Sequence, residues 1–402
     1  MGLLTFVFTI FILAFPVGEI GRVQLSNGLA FSLNDILLVT VIAVWFLNHV
    51  LRKRKFTFGK LIKPIVIFSA VGLLSLLVNF QNLGLNNFAV SAMYLVRWIA
   101  YAMIYIIVTE FDTKFKKRIS YLLLFSGSIV VFWGYIQYFF YPYLGNLQYL
   151  GWDSHLNRMF SSFLDPNFAG AFFALFFIFA ISFTWKLFKI KDMGKALIIL
   201  FVSLADLIAV YLTYSRSALI MLVAAVITYL ALQKQKKLAF AAIVLLIAII
   251  FFLPKQSHST FTEGTNFLRI TSGVERLDSI QTGVKIFEQS PVLGVGFNAY
   301  RYAQHKVGLT NIYWQVTHSG AGTDNGFLFV LTTAGIIGLT AFIYLLFCIF
   351  RQAKSQLKQN VHSVVLFAVL LGLILDGFFV NSLFYVLLLE WIWIFAALTE
   401  KS

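Results

Sequence analysis

Residues 167–185, NFAGAFFALFFIFAISFTW, decide the fold class. Nineteen residues pass without a charged side chain, and at about 1.5 Å per residue a helix of that length crosses the roughly 30 Å hydrocarbon layer of a bilayer. Working outward, similar apolar runs recur at 3–17, 30–50, 61–79, 88–108, 119–141, 195–214, 217–232, 238–253, 325–349, 361–380 and 382–398. Twelve transmembrane helices are therefore predicted. Only 12% of the 402 residues are charged and 60% are hydrophobic, whereas a soluble domain needs roughly a quarter charged to cover its exterior. The chain reads as an all-α polytopic membrane protein. The first run lacks a basic segment before it and a small-residue cleavage site after it, so it reads as a membrane helix and not a secretory signal. The single cysteine, Cys348, rules out an intramolecular disulfide and reads as a packing residue.

A net charge of +15 raises the question of nucleic acid. Location answers it. If the N-terminus is cytoplasmic, the inward segments 48–63, 109–118, 186–195, 233–237, 351–360 and the C-terminus hold 21 of the 31 Lys and Arg. The short outward loops hold only Arg22, Arg158 and Arg216. The positive-inside rule thus places both termini in the cytoplasm, and the aromatics lie inside the spans instead of among basic residues, so no nucleic-acid face is expected.

The chain divides into helices 1–9 (residues 1–253), a long outward loop (254–324) and helices 10–12 (325–402). The loop is far longer than a connection needs, which points to function. Within it, Ser272-Gly-Val-Glu275 has capping-box spacing, and Leu277, Ile280, Val284 and Phe287 recur at helical intervals up to Pro291. An amphipathic helix lying on or against the membrane domain is predicted. Gly294-Val-Gly296 reads as a tight turn and carries no phosphate-binding weight by itself.

Charges inside spans are costly and tend to mark function or a paired site. Arg97, Asp206 and Glu390 all fall roughly 12–14 Å below the outer surface at helical rise. They are expected to form one internal charge cluster, either a packing device or part of a reaction. Asp35, nearer the surface, is expected to face a cavity open to the outside.

Two outward arginines stand out. Arg216 lies in the very short hairpin Tyr214-Ser-Arg216-Ser217, and Arg276 lies in the first turn of the predicted amphipathic helix, where the helix dipole disfavours a cation. The guanidinium fork suits phosphate oxygens better than the point charge of Lys does. Arginines of this kind suggest a diphosphate site; the plainer reading is that they reach toward lipid headgroups.

The stretch Arg276-Leu-Asp-Ser-Ile-Gln-Thr-Gly-Val-Lys-Ile-Phe-Glu-Gln-Ser-Pro291-Val-Leu-Gly-Val-Gly-Phe resembles the hallmark of the bacterial O-antigen ligase and O-antigen polymerase superfamily. Three further segments agree: Asn157-Arg158-Met-Phe-Ser-Ser-Phe-Leu-Asp165-Pro166-Asn167, Tyr214-Ser-Arg216-Ser217, and Asp324-Asn325-Gly-Phe-Leu followed by Ala-Gly335-Ile-Ile-Gly338-Leu. The resemblance covers nearly the whole chain. It implies a GT-C-like glycosyltransferase of the bacterial inner membrane, acting at the outer face on glycans linked to polyprenyl diphosphate. It also implies Arg216 and Arg276 as donor-diphosphate ligands, and a chain-length regulator or a flippase as protein partners. The family has a His immediately before the Asn of the last motif, where this chain has Asp324.

Displacement at an anomeric carbon by a sugar hydroxyl needs a base near the nucleophile and stabilisation of the departing diphosphate. Asp324 is the candidate base and His318 its rival. Arg158, Asn325 and Asp35 are second-tier substrate contacts. Asp165 and Asn167 read as the start of a helix. No metal-ligand spacing and no D-x-D pair is present, so neither metal nor other cofactor is expected. A polymerase joining lipid-linked repeat units is the preferred reading and a ligase passing the chain to lipid A-core or another acceptor the alternative. A transporter of lipid-linked oligosaccharide is disfavoured because the two halves show no matched repeat.

Overall fold

A chain in lipid must satisfy its backbone groups internally, which leaves helices as the building unit here. The computed structural model describes residues 2–25, 29–53, 55–235, 237–238, 241, 265, 271–310, 314 and 317–400. The α-helices among them are α1 (Gly2–Ala14), α2 (Leu33–Leu51), α3 (Ile62–Val78), α4 (Phe80–Thr109), α5 (Thr113–Phe140), α6 (Pro166–Lys189), α7 (Met193–Leu212), α8 (Arg216–Leu232), α9 (Thr271–Phe287), α10 (Tyr300–Lys306), α11 (Gly326–Ser355), α12 (Val361–Asp376) and α13 (Val386–Leu398). A two-stranded ribbon pairs Val23–Gln24 with Ala30–Phe31.

Among the described residues, seven helices are long and apolar enough to cross a membrane: α1 with its 3-10 extension to Gly21, α2, α4, α5, α6, α7 and α11. Four shorter apolar helices, α3, α8, α12 and α13, accompany them. These eleven coincide with eleven of the expected spans. The remaining run, 238–253, lies almost wholly outside the described residues.

The stretch that decided the fold class is also the centre of the bundle. Phe172, Phe173, Phe176 and Phe179 of α6 are fully buried, and the helix packs on α7, α8 and α12. Trp391 of α13 closes edge-on against Phe172 at 5.1 Å between ring centroids. Pro166 at the first turn and Asp165 as N-cap, accepting from Asn167 N at 2.6 Å and Phe168 N at 3.2 Å, start the helix where the sequence places it.

Helix α11 is broken at Gly335, where φ is +67°. A break frees carbonyls and amides that lipid cannot satisfy. The turn after α9 takes them up. Ile336 N donates to Pro291 O at 2.9 Å and Ile337 N to Val292 O at 3.3 Å, while Val295 N and Gly296 N donate to Thr332 O and Thr333 O at 3.0 and 3.2 Å. From α3, Ser75 Oγ donates to Thr333 O at 2.7 Å, and Asn79 Nδ2 at the end of α3 donates to Gly294 O at 2.8 Å. Backbone meets backbone so closely that a side chain at Gly294 would run into Thr333 and Ala334, and one at Gly335 into Val292. The Gly-Val-Gly turn is thus a strap laid into an opened helix.

The strap fixes α9 against α11 and corrects the expected start of that helix. The described helix opens at Thr271, so Ser272 is a helical residue and not the cap, and Arg276 lies in the second turn. Leu277, Ile280 and Val284 are exposed, and the face toward the rest of the protein carries Gly283 and Ile286. Gly283 is on that face because Leu328 and Thr323 leave no room for a larger residue.

Gly335→Ala is expected to destabilise the protein by about 1–3 kcal/mol, read as a lowered thermal midpoint in detergent. Gly84→Ala is the comparison, since Gly84 shares the positive φ of +69° but has nothing within 4 Å of an added methyl. A Gly335→Ala loss no greater than that of Gly84→Ala would mean the close approach of the strap contributes nothing.

Candidate functional site

Three connections meet at the end of the bundle opposite the lysine-rich segments. Between α7 and α8 only Thr213, Tyr214 and Ser215 intervene, with Tyr214 in the left-handed region at φ 51°. A bulky residue takes that conformation only when its surroundings hold it there. Arg158, buried in the α5–α6 link, donates from Nε to Thr213 O at 2.8 Å and from Nη2 to Asn167 Oδ1 at 3.4 Å. Asn167 Oδ1 also accepts from Ser215 Oγ at 3.1 Å, and Ser215 caps α8 by accepting from Ala218 N. Arg158 therefore braces the hairpin from inside. Arg216 emerges at the first position of α8 on this held backbone.

Arg276 approaches from α9. Three residues on, Ser279 Oγ accepts from the backbone N–H of Asp324 at 3.1 Å, which ties the start of α11 beneath the same face of α9. Asn325 is the N-cap of α11, accepting from Phe327 N and Leu328 N at 2.9 Å each. Its side-chain oxygen thus caps the helix, and Asp324 is relieved of that task.

The third connection, between α12 and α13, brings residues that the sequence reading missed. The Arg276 guanidinium lies 5.9 Å over the Phe379 ring. Asp376, the last residue of α12, is fully buried, and its charge and that of Arg276 act on one another. The hydroxyls of Ser217 and Ser382 face its carboxylate, yet no hydrogen bond closes on either oxygen, and Asn381 Oδ1 and Ser382 Oγ likewise have no partner. Buried polar atoms are normally satisfied, so a concentration of unsatisfied ones marks a place built for something else. An acidic residue ending an apolar run, Asp376-Gly377, was the available signal.

Electrostatics join these parts. Arg216 and Arg276, sixty residues apart in sequence, repel one another across the site. Asp324 is exposed at the mouth yet set into the protein surface, and lost hydration raises its carboxyl above the usual range against the opposing pull of Arg276, with Asp165 and Glu275 adding to the rise. Asp165 is raised mainly by burial as well. The arrangement is two guanidiniums with a reluctant carboxylate beside them. It can neutralise a dianionic group and accept a proton next to it.

His318 lies elsewhere. Its ring meets Trp152 edge-on at 4.4 Å, and its neighbouring charges are Arg22 and Arg301. Burial first, and those two cations second, push its imidazole down to about 3. It is therefore neutral throughout the physiological range, on a separate cluster from Asp324.

The expected cluster of Arg97, Asp206 and Glu390 does not form. Arg97 forks onto Asp35, Nε to Oδ1 at 2.8 Å and Nη2 to Oδ2 at 2.7 Å, with Tyr101 donating to Oδ1 at 3.1 Å. Asp35 is buried and closes a capping box with Ser32 at the start of α2, so it does not face an open cavity. The Ser32-Leu-Asn-Asp35 spacing was legible and went unread. Glu390 joins this group through Asn34, whose Nδ2 donates to Oε2 at 3.0 Å. Asp206 stands apart with neither oxygen hydrogen-bonded. Helix α7 packs on α5 and α6, whereas Arg97 lies on α4 beside α2 and α13; equal depth does not bring them together. An apolar groove of about 360 Å³ between α3 and α11, lined by Ile67, Val71, Ile336, Ile337, Thr340 and Tyr344 among others, carries no charged group and is not part of the site.

Residues 199–343 match the family described as O-antigen ligase. The match takes in α7 to α10 and the first half of α11, with Arg216, Arg276, His318 and Asp324; Asp165 and Asp376 lie outside it. No curated protein matches the chain.

A raised Asp324 carboxyl has a consequence in pH. The carboxylate is lost as pH falls through a value above the ordinary Asp figure of about 3.9, so a reaction using it as base should show an acid limb displaced upward, and Asp324→Asn should abolish that limb along with most of kcat. His318→Gln should leave the limb in place, because the imidazole does not titrate there. An unchanged profile in Asp324→Asn would remove Asp324 from the chemistry.

Proposed function

We propose, taking as premise the O-antigen ligase domain that the chain carries at residues 199–343, that this membrane protein is a glycosyltransferase using a polyprenyl-diphosphate-linked glycan as donor. The observation that carries the reading is the meeting of Arg216 and Arg276, from separate connections, at one end of the bundle beside Asp324 and the unsatisfied Asp376, Asn381 and Ser382. Two half-buried guanidiniums that repel one another favour an anion placed between them. A lipid diphosphate supplies that charge.

In the proposed step the acceptor hydroxyl oxygen attacks the anomeric carbon, its proton passes to the Asp324 carboxylate, and the bond between that carbon and the diphosphate oxygen breaks with its electron pair leaving on the diphosphate. Arg216 and Arg276 neutralise the charge that builds there, a role worth several kcal/mol when preorganised donors face the leaving group. Asp376 positions Arg276 and tolerates its own charge only beside it. The arginines serve where other transferases use a divalent cation, so the reaction is assigned as metal-independent. The family's outward-acting chemistry and the basic inward loops support placing this end of the bundle at the outer face of the bacterial inner membrane. Polymerisation of repeat units is preferred over transfer to lipid A-core because Asp324 replaces the ligase-like His.

The test is to incubate purified protein with polyprenyl-diphosphate-linked repeat units alone, with chelator present, and to resolve products by size. A ladder spaced by one repeat unit is expected, reduced by on the order of 100-fold in Arg276→Gln and in Arg216→Gln. No ladder until a separate acceptor is added would assign a ligase. Full activity of either variant would remove that arginine from the donor site.

A further inference from the structure

The His318 cluster is unused by the proposed reaction and is built with care. Arg22 follows the 3-10 turn Phe15–Gly21, donates from Nη1 to Glu19 Oε2 at 3.1 Å, and lies with its Cζ 5.6 Å over the Trp152 ring. Its Nε is buried without a partner, and so are both ring nitrogens of His318. Trp152 fixes the two groups from either side, by cation–π attraction to Arg22 and edge contact with His318. Backbone contacts hold the rest in register: His318 N donates to Gly151 O at 3.1 Å, and Arg301 of α10 donates from Nη2 to Thr317 O at 2.9 Å. Glu19 offsets Arg22 through a direct contact.

Two preorganised cations around unsatisfied buried donors suit an anion. The neutral imidazole adds something a simple anion does not need: one nitrogen donates and the other accepts, so the complementary ligand carries a hydroxyl as well as a negative group. An acidic sugar carries that combination, and so does a hydroxyl-bearing phosphodiester headgroup; nearness to Asp324 favours the sugar. The position fits too. His318 and Asp324 share one connection, and the six peptide steps from one to the other span at most about 20 Å, a distance covered by a short oligosaccharide.

We propose that Arg22, His318 and Arg301, framed by Trp152, form a second binding subsite that takes the carboxylate-bearing sugar of an acidic acceptor glycan. The acceptor role rests on the transferase reading above; the binding itself does not.

The probe is a glucuronate-containing tetrasaccharide and its carboxyl-reduced counterpart, titrated by ligand-observed NMR against the full-length protein in phosphatidylcholine nanodiscs. The acidic form is expected to bind on the order of ten-fold more tightly, as about 1.4 kcal/mol of charge-assisted hydrogen bonding gives. Arg22→Gln should erase that preference, Arg22→Lys should restore part of it and so exclude misfolding as the cause, and His318→Gln should weaken both forms. Equal binding of the two probes to the wild type, or a preference that survives both Arg22→Gln and His318→Gln, would overturn the subsite. Loss of acidic-probe binding in phosphatidylglycerol nanodiscs would assign the cluster to a lipid headgroup and overturn the sugar assignment. Because no turnover is involved, a preference found in a protein without transfer activity upholds the subsite and counts against the transferase reading instead.

Discussion

The opened backbone of α11 at Gly335 is the constraint on which the site depends. A transmembrane helix gives up consecutive hydrogen bonds only when other groups replace them, and here the strap from Pro291 to Gly296 replaces them from the turn that follows α9. Because four backbone hydrogen bonds and one from Asn79 hold the strap, and Ser75 holds the opened helix beside it, the helix leading into the strap is fixed in place. Arg276 is thereby set over the start of α11, and Asp324 is tied to it through Ser279. A pair of glycines separated by forty residues thus fixes the relation between a cation and a carboxylate.

The same logic governs the rest of the site. Arg216 has no long loop to carry it; a three-residue link with a left-handed Tyr214 presents it, and the buried Arg158 keeps that link in place. Asp165 and Asn325 each satisfy a helix start, which leaves Asp324 and Asp376 as the carboxylates not consumed by capping. What distinguishes functional from structural polar groups here is whether their hydrogen bonds are spent. Arg158 and the side-chain oxygen of Asn325 hold backbone in place, whereas the oxygens of Asp376 and the imidazole nitrogens of His318 do not.

Much of this was legible in one dimension and little of it in three. Apolar runs of membrane length located eleven helices to within a few residues at most ends, because lipid imposes a length and a composition on each of them. Pro166 after Asp165 marked a helix start for the same local reason. Depth was readable too, but azimuth was not: Arg97, Asp206 and Glu390 share a level, yet α7 carries Asp206 along a different side of the bundle from α4 and α13. Periodicity says that a helix has two faces, and only tertiary context says which one meets the protein. Asp376 escaped notice because an acidic residue at the end of a span looks the same whether it meets water or a buried arginine.

The most direct measurement is the structure, by electron cryo-microscopy, of the protein in a lipid nanodisc with a polyprenyl-diphosphate-linked repeat unit bound. The account predicts diphosphate density between the guanidiniums of Arg216 and Arg276, with the anomeric carbon on the side of Asp324. Diphosphate density at Arg22 and Arg301, or away from both arginine pairs, would contradict it.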